Sequence, residues 1–317
     1  MYSRSTLLST AGFVWGCLLL RRTWRFLTFH LNFAGDVQLL KYQRPRSWAL
    51  VTGSSAGIGL GFAKELVLRG FNVILLGHLP GELQSAETML RQLPGAKEIL
   101  TVTLDARTST PAEIETALEP VTKLPLTILI NNVGGITFKP YYQKLEDHTA
   151  GQIDDMINLN ARFAAHVTRV LVPTLKLHGP SAILNVSSGS CRGMPWMSLY
   201  SSVKAFNAAF GRALAREFIA EGSKIDSLVV CPGDVQSQAN TRALAPGSPT
   251  AETFAKAVLD RVVTAVRQGR VEIMPYWAHD LQLSLFEALP EFLAQRLTVT
   301  SISSKIEAER AQNSKSL

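Results

Sequence analysis

The sequence predicts an α/β protein, a doubly wound parallel sheet of about seven strands carried behind an N-terminal segment that anchors to a membrane. Three observations predict it. Short apolar runs alternate with helical stretches from residue 47 to about residue 274, the order that places helices between parallel strands. A glycine-rich turn separates the first of these runs from the first helix after it. The opening 46 residues are apolar and basic in a way the rest of the chain is not.

Of the net charge of +7, residues 1–46 supply +6, from Arg4, Arg21, Arg22, Arg25, Lys41, Arg44 and Arg46 against Asp36. The body is therefore nearly neutral and lacks the interleaved basic and aromatic residues of a nucleic-acid surface, which argues against a nucleic-acid partner. An apolar share of 46% with 18% charged residues is too oily for disorder and points to a membrane-associated part. Cys17, Cys191 and Cys231 are odd in number and far apart, matching neither a disulfide framework nor a zinc spacing; a reducing compartment follows.

Residues 7–20 are mostly apolar between Arg4 and the Arg21-Arg22 pair, short of the roughly 20 residues that cross a bilayer. Trp24, Phe26, Phe29 and Phe33 suit a membrane interface. A span, a hairpin and a helix lying in the interface all remain open. A cleaved signal peptide fits less well, because the charge follows the apolar run and no small-x-small site precedes a mature start. The heavier basic flank at Arg21, Arg22 and Arg25 would keep the remainder in the cytosol. A rival reading has the first 40 residues covering a homodimer contact or the substrate mouth of a soluble enzyme.

Residues 47–51 form the first strand of the body, followed by Thr52-Gly53-Ser54-Ser55-Ala56-Gly57-Ile58-Gly59 and a helix that stops at Gly70. Glycines at 53, 57 and 59 allow a tight turn and let backbone N–H groups approach a pyrophosphate on the helix N-terminus. Residues 72–76 are the second strand, whose end is where the ribose is read. Gly77-His78 stands there, with no carboxylate until Glu82, so NADP (NADPH) is favoured over NAD, with His78 approaching the 2′-phosphate. Residues 99–104 are a third strand with Asp105 placed for the adenine amino group. A helix over 111–121 and a fourth strand over 126–130 lead into Asn131-Asn132-Val133-Gly134-Gly135.

Residues 153–177 carry helical periodicity around Asn160, and the fifth strand, 181–186, ends in Ser187-Ser188. Asn185-Val186-Ser187 has a glycan acceptor's spacing but ends a buried run and is discounted. A helix over 199–216 sets Tyr200 and Lys204 on one face, four residues apart. A phenol titrates near ~10, and a cation beside it favours the phenolate, which suits acid–base work. The sixth strand is 224–230, then comes Cys231-Pro232-Gly233-Asp234-Val235-Gln236-Ser237, and 271–274 is the seventh.

Thr52-Gly-xxx-Gly-Ile-Gly59, Asn131-Asn-Val-Gly134, Ser188, Tyr200-xxx-Lys204 and Pro232-Gly233, in this order over residues 47–240, resemble the short-chain dehydrogenase/reductase family. Asn-Asn-Val-Gly in place of Asn-Asn-Ala-Gly, the run over 183–190 and the membrane-leading N-terminus are similar to its very-long-chain 3-oxoacyl-CoA reductase and 17β-hydroxysteroid dehydrogenase branch. The resemblance implies a Rossmann fold and a catalytic tetrad. Tyr200 protonates a carbonyl oxygen, Lys204 lowers its pKa and holds the nicotinamide ribose, Ser188 binds the substrate oxygen, and Asn160 positions a water. The family's spacing of thirteen to the tyrosine would select Ser187, whereas strand register selects Ser188; register is harder to shift than loop length. The cofactor would further rest on Thr52, Gly53, Ser55, Gly57, Ile58 and Gly59, on Asn132 and Gly134, and on Pro232, Val235 and Ser237.

Residues 236–250 resemble the loop that closes over substrate, residues 281–293 offer apolar side chains to a tunnel, a bilayer or the core, and residues 306–317 are predicted disordered. Three segments follow: a 1–46 anchor and linker, a 47–280 catalytic domain, and a 281–317 apolar segment and polar tail. The function implied is an NADP(H)-dependent ketoreductase at the endoplasmic reticulum membrane, its catalytic domain facing the cytosol. Its substrate would be a hydrophobic 3-oxoacyl thioester or steroid-like ketone. A ketoreductase of a specialised biosynthetic pathway and a non-catalytic membrane-bound scaffold are the alternatives.

Overall fold

Seven short runs pair in parallel: β1 Trp48–Thr52, β2 Asn72–Gly77, β3 Ile99–Thr103, β4 Leu126–Asn131, β5 Ser181–Val186, β6 Ile225–Val230 and β7 Glu272–Ile273. Their spatial order is β3-β2-β1-β4-β5-β6-β7. The computed structural model describes residues 4–31, 35–238, 240, 244 and 247–313. Every position of β1, β2, β4 and β5 is buried, as expected of parallel strands covered on both faces. Side chains alternate across a strand, so one face collects Val51, Leu75 and Ile130 and the other Leu50, Ile74 and Leu129.

Helices α1 Arg4–Leu31, α2 Gly57–Leu68, α3 Pro80–Arg91, α4 Pro111–Thr122, α5 Ala150–Ile157, α6 Phe163–Leu177 and α7 Ser198–Ala220 come first. They are followed by α8 Ala251–Leu259, α9 Val262–Arg267, α10 Trp277–Glu287 and α11 Glu291–Asn313. Phe62 and Leu66 of α2, Leu83 of α3 and Phe254 of α8 pack on the first face of the sheet. Ile114 of α4, Phe163 and Val167 of α6 and Phe218 of α7 pack on the second. Strand order reverses between β1 and β4, and the crevice outside their carboxyl ends is where such a sheet takes a ligand.

Several expectations are corrected. The helical stretch over 153–177 is α5 and α6 joined by a π-helical turn, Asn158–Arg162, because side-chain bonds from Asn160 interrupt the regular ladder. Residues 306–313, predicted disordered, continue α11, where Ile302 and Glu309 are buried against the body; residues 314–317 lie outside the described residues. The N-terminal apolar run and the aromatic stretch after it form one continuous helix, α1, up to Leu31, with Phe33 outside the described residues. Among the described residues no helix is long and apolar enough to cross a membrane.

The end of α1 is packed into the body. Phe29 is fully buried in the same core as β1 and α2, with the Arg270 guanidinium over its ring at 4.1 Å, so packing crosses the boundary expected at residue 46. His30 Nε2 lies 2.7 Å from Asp280 Oδ2, and Arg22 donates to the Ser284 carbonyl at 3.1 Å. The outer part of the helix stays bare: Phe13, Trp15, Leu20 and Trp24 are exposed.

Candidate active site

Four side chains expected to act together meet at the carboxyl edge of β4 and β5. α7 begins just after a short 3-10 turn, Gly189–Arg192, and brings Tyr200 back over the end of β5, with its hydroxyl on the side of Ser188. The Ser188 oxygen accepts from the N–H of Ser190 at 3.2 Å and from its hydroxyl at 2.9 Å. Ser187, the competing choice, is turned inward and donates to the Lys204 carbonyl at 2.7 Å, which leaves it a packing role. Lys204 is 3% exposed and its ammonium donates to the Val186 carbonyl at 3.3 Å.

Asn160, in the π-helical turn, clamps Gly135 from both sides: its Oδ1 accepts the Gly135 N–H at 2.9 Å and its Nδ2 donates to the Gly135 carbonyl at 3.0 Å. Asn207 of α7 donates to the Asn160 backbone carbonyl at 2.9 Å. Gly134 is the space between these groups. A Cβ there would stand 2.6 Å from Asn160 Oδ1 and 2.7 Å from Lys204 Nζ, so only glycine lets the strand end pass.

Burial sets the titration of the pair. The packed surroundings of Tyr200 raise its phenol above the ordinary 10, with the Ser188 hydroxyl pulling the other way, and burial pushes Lys204 down to about 8. The sequence reading has the lysine drawing the phenol down. Instead, Lys204 Nζ sits 5.7 Å from the centre of the Tyr200 ring, and its own charge is weakened by desolvation.

The glycine turn follows a path that only glycine allows. Gly53 and Gly57 hold φ of +65° and +55°, and a Cβ on Gly59 would fall 2.0 Å from the Gly53 carbonyl oxygen. Ala56 at the N-cap of α2 offers no side-chain hydrogen bond, so the first-turn N–H groups lack the cap a serine would provide. Ser237 lies across the gap, its Cβ 3.4 Å from where a Gly57 Cβ would be. Thr52 and Asn132 brace the turn rather than face it. The Thr52 hydroxyl accepts the N–H groups of Asn132 and Val133 at 2.9 and 3.0 Å, and Asn132 Nδ2 donates to the Thr52 and Gly53 carbonyls.

Other expected contacts are less direct. Val235 and Ile58 turn their side chains toward the apolar core, and the Pro232 carbonyl accepts the Gly189 N–H at 2.8 Å, joining the two loops of the site. Asp105 is engaged by Arg107, at 2.9 Å through the backbone N–H and 3.1 Å through the guanidinium. Burial would raise its carboxyl, but those bonds and the charges of Arg107 and His78 hold it below the ordinary range. Positions 239, 241–243 and 245–246 of the expected substrate loop lie outside the described residues.

Three features escaped the sequence. Ser55 donates to Glu82 Oε2 at 2.9 Å, so the carboxylate counted as remote from the ribose end stands at the glycine turn. The neighbouring thiol of Cys231 draws the pKa of Cys191 down, and the Cys231 thiol donates to Glu272 at 3.4 Å. Around the turn after β6, His279 of α10 accepts the Gly233 N–H at 3.2 Å, while Lys305 of α11 pairs with Asp234 at 2.7 Å. Ser55 and Glu82 are 27 residues apart, and no local pattern marks such pairs.

The family model described as short chain dehydrogenase matches residues 47–246, more than half of the chain. The chain belongs to the short-chain dehydrogenase/reductase family. Among its relatives in that family, hydroxysteroid dehydrogenase-like protein 1 of Gallus gallus is 30% identical over 87% of this chain and 82% of its own length. A Homo sapiens protein named inactive hydroxysteroid dehydrogenase-like protein 1 is 29% identical, covering 78% of this chain and 73% of that one. The very-long-chain 3-oxoacyl-CoA reductase of Pyricularia oryzae is 26% identical, over 80% and 76%. A solved short-chain dehydrogenase from Sphingobium yanoikuyae in complex with NADPH, 22% identical, superposes with a TM-score of 0.62 over 78% of this chain and 97% of that one, a likeness of fold. As a short-chain dehydrogenase/reductase, the chain is an oxidoreductase of the nicotinamide-dependent type.

Proposed function

We propose that the chain reduces a ketone on a hydrophobic substrate, with Tyr200 as the proton donor. The convergence of Tyr200, Lys204 and Asn160 beside Ser188 carries the reading, with Lys204 Nζ 5.7 Å from the Tyr200 ring centre and both Lys204 and Asn160 against Gly134. A bound nicotinamide dinucleotide would supply the hydride to the carbonyl carbon. As negative charge grows on the carbonyl oxygen, the Ser188 hydroxyl donates a hydrogen bond to it and Tyr200 transfers its proton. A phenol raised above 10 by burial keeps that proton at neutral pH, so the resting enzyme holds the form that reduction needs. Lys204 would hold the ribose hydroxyls of the bound dinucleotide and, while charged, steady the phenolate left behind. Asn160 keeps Gly135 and the end of β4 in register beneath them. The amides of Gly57, Ile58 and Gly59 would hold the diphosphate.

The substrate class is a lipid-like ketone, of which a long-chain 3-oxoacyl thioester and a steroid are the leading forms. The exposed Phe13, Trp15 and Trp24 of α1, beside Arg21, Arg22 and Arg25, support a helix lying at the surface of an intracellular membrane, that of the endoplasmic reticulum with the body in the cytosol. The name of the human relative supports a second reading, a dinucleotide-binding scaffold without turnover. Assay of the purified full chain and of Tyr200→Phe against a panel of ketones, with NADH and NADPH, separates the two. A reductase turns over at least one ketone and loses about 10²- to 10⁴-fold of its rate on substitution. Turnover that survives in Tyr200→Phe would remove the tyrosine from the mechanism, and binding of nucleotide with no turnover would favour the scaffold.

A further inference from the structure

Glu82 is the third residue of α3, which is separated by two residues from the end of β2, and its carboxylate reaches back to accept the Ser55 hydroxyl at 2.9 Å. Ser55 belongs to the glycine turn that follows β1, and β1 and β2 are neighbours in the sheet. The crevice beyond those two strand ends is where a doubly wound sheet reads the ribose of the adenosine half, through a carboxylate for a 2′-hydroxyl or a cation for a 2′-phosphate. We infer that Glu82 is the residue that reads the 2′ position, accepting the ribose hydroxyl of NAD(H) and repelling the phosphate of NADP(H).

This rests on the dinucleotide reading of the glycine turn given above. Ser55 occupies one lone pair of the carboxylate and fixes its direction, leaving acceptor capacity for a ribose hydroxyl. The cations within reach do not reverse the balance. No Lys or Arg occurs between Gly77 and Leu83. Arg107 is bound to Asp105 at 3.1 Å, and the charge of exposed His78 acts on that same carboxyl. A phosphate monoester brings close to two negative charges. It would face Glu82 at the turn and Asp105 beyond it. The preference for NADP(H) expected from the sequence assumed that no carboxylate lay this near; with Glu82 in place, NAD(H) is the favoured nucleotide.

Equilibrium binding tests this without turnover. The full chain and Glu82→Gln are titrated with NADH and NADPH by nucleotide fluorescence, and 5′-AMP and 2′,5′-ADP are compared as competitors. The fragments report the adenosine end alone. Wild type should bind NADH about tenfold tighter than NADPH, and Glu82→Gln should tighten NADPH about tenfold while NADH changes less than about threefold. The same reversal is expected between 5′-AMP and 2′,5′-ADP. Tight NADH binding by the variant shows that it is folded. Both nucleotides binding with a ratio unmoved by Glu82→Gln would overturn the role of Glu82 and leave the dinucleotide site standing, as would a wild type that prefers NADPH. Binding of neither nucleotide would sink the site itself, and the inference with it.

Discussion

The floor of the crevice and its roof are held by different forces. On the floor, Thr52, Asn160 and Lys204 are 1%, 0% and 3% exposed, and each is bonded to the backbone of a strand end. On the roof, the link of α11 to the turn after β6 is the Lys305–Asp234 pair, and the link of the 3-10 turn after Ser188 to α10 is Arg192–Glu287 at 2.8 Å, all partly solvated. Leaving a buried polar group unpaired costs about 1–3 kcal/mol, whereas a solvated ion pair contributes about 0–1 kcal/mol. The geometry of the proposed proton transfer is therefore tied to the sheet, while the contacts of α10 and α11 can be rebuilt at small cost.

Filling the floor gives the largest expected effect. Gly134→Ala forces Asn160 Oδ1 and Lys204 Nζ apart, and kcat should fall about 100-fold, the scale of a misplacement near 1 Å, with Tm lowered by only a few degrees. If kcat stays within threefold, the floor yields as easily as the roof and the comparison collapses. The next effect is on pH. Burial lowers Lys204 to about 8, so its charged form is present below that pH and is lost as pH rises through it, while Tyr200 stays protonated beyond. The rate of ketone reduction should be level below pH ~8 and fall by about tenfold per unit above it. A rate that climbs through this range would show that the lysine charge is not used. The smallest effect belongs to the roof: Lys305→Ala should change kcat/KM by less than about threefold, in keeping with a solvated ion pair. A drop like that of Gly134→Ala would mean that α11 is as rigid as the strands.

What was legible follows the same division. Strands buried on both faces are dominated by apolar residues, so β1, β2, β4 and β5 could be read from composition over five or six residues. Gly53, Gly57 and Gly59 answer to backbone geometry that no other residue satisfies, and Tyr200 and Lys204 to a single helical turn. The misses are elements whose meaning lies in distant partners. α3 shows only Leu83, Ala86 and Leu90 to the core and opens directly on Pro80, so it was passed over. With it went the direction of Glu82, which depends on how soon the helix begins after β2. α11 buries few of its apolar positions and rests on Ala294, Ile302 and Glu309, the last accepting the Tyr141 N–H at 3.2 Å; the polarity of its end is why it reads as unstructured. The choice between Ser187 and Ser188 required knowing which hydroxyl the following helix would cover, and the Lys204 carbonyl covers Ser187.

Adjacent residues of α10 face opposite ends of the molecule's working parts. His279 grips the Pro232-Gly233 turn, and Asp280 holds His30 at the foot of the exposed N-terminal helix. A tether would let the catalytic body tumble above whatever surface that helix rests on. On the proposed reading, a strut with two such joints would give the crevice one attitude to the membrane, so the angle at which α1 is bolted on would decide the route by which a lipid-like ketone arrives.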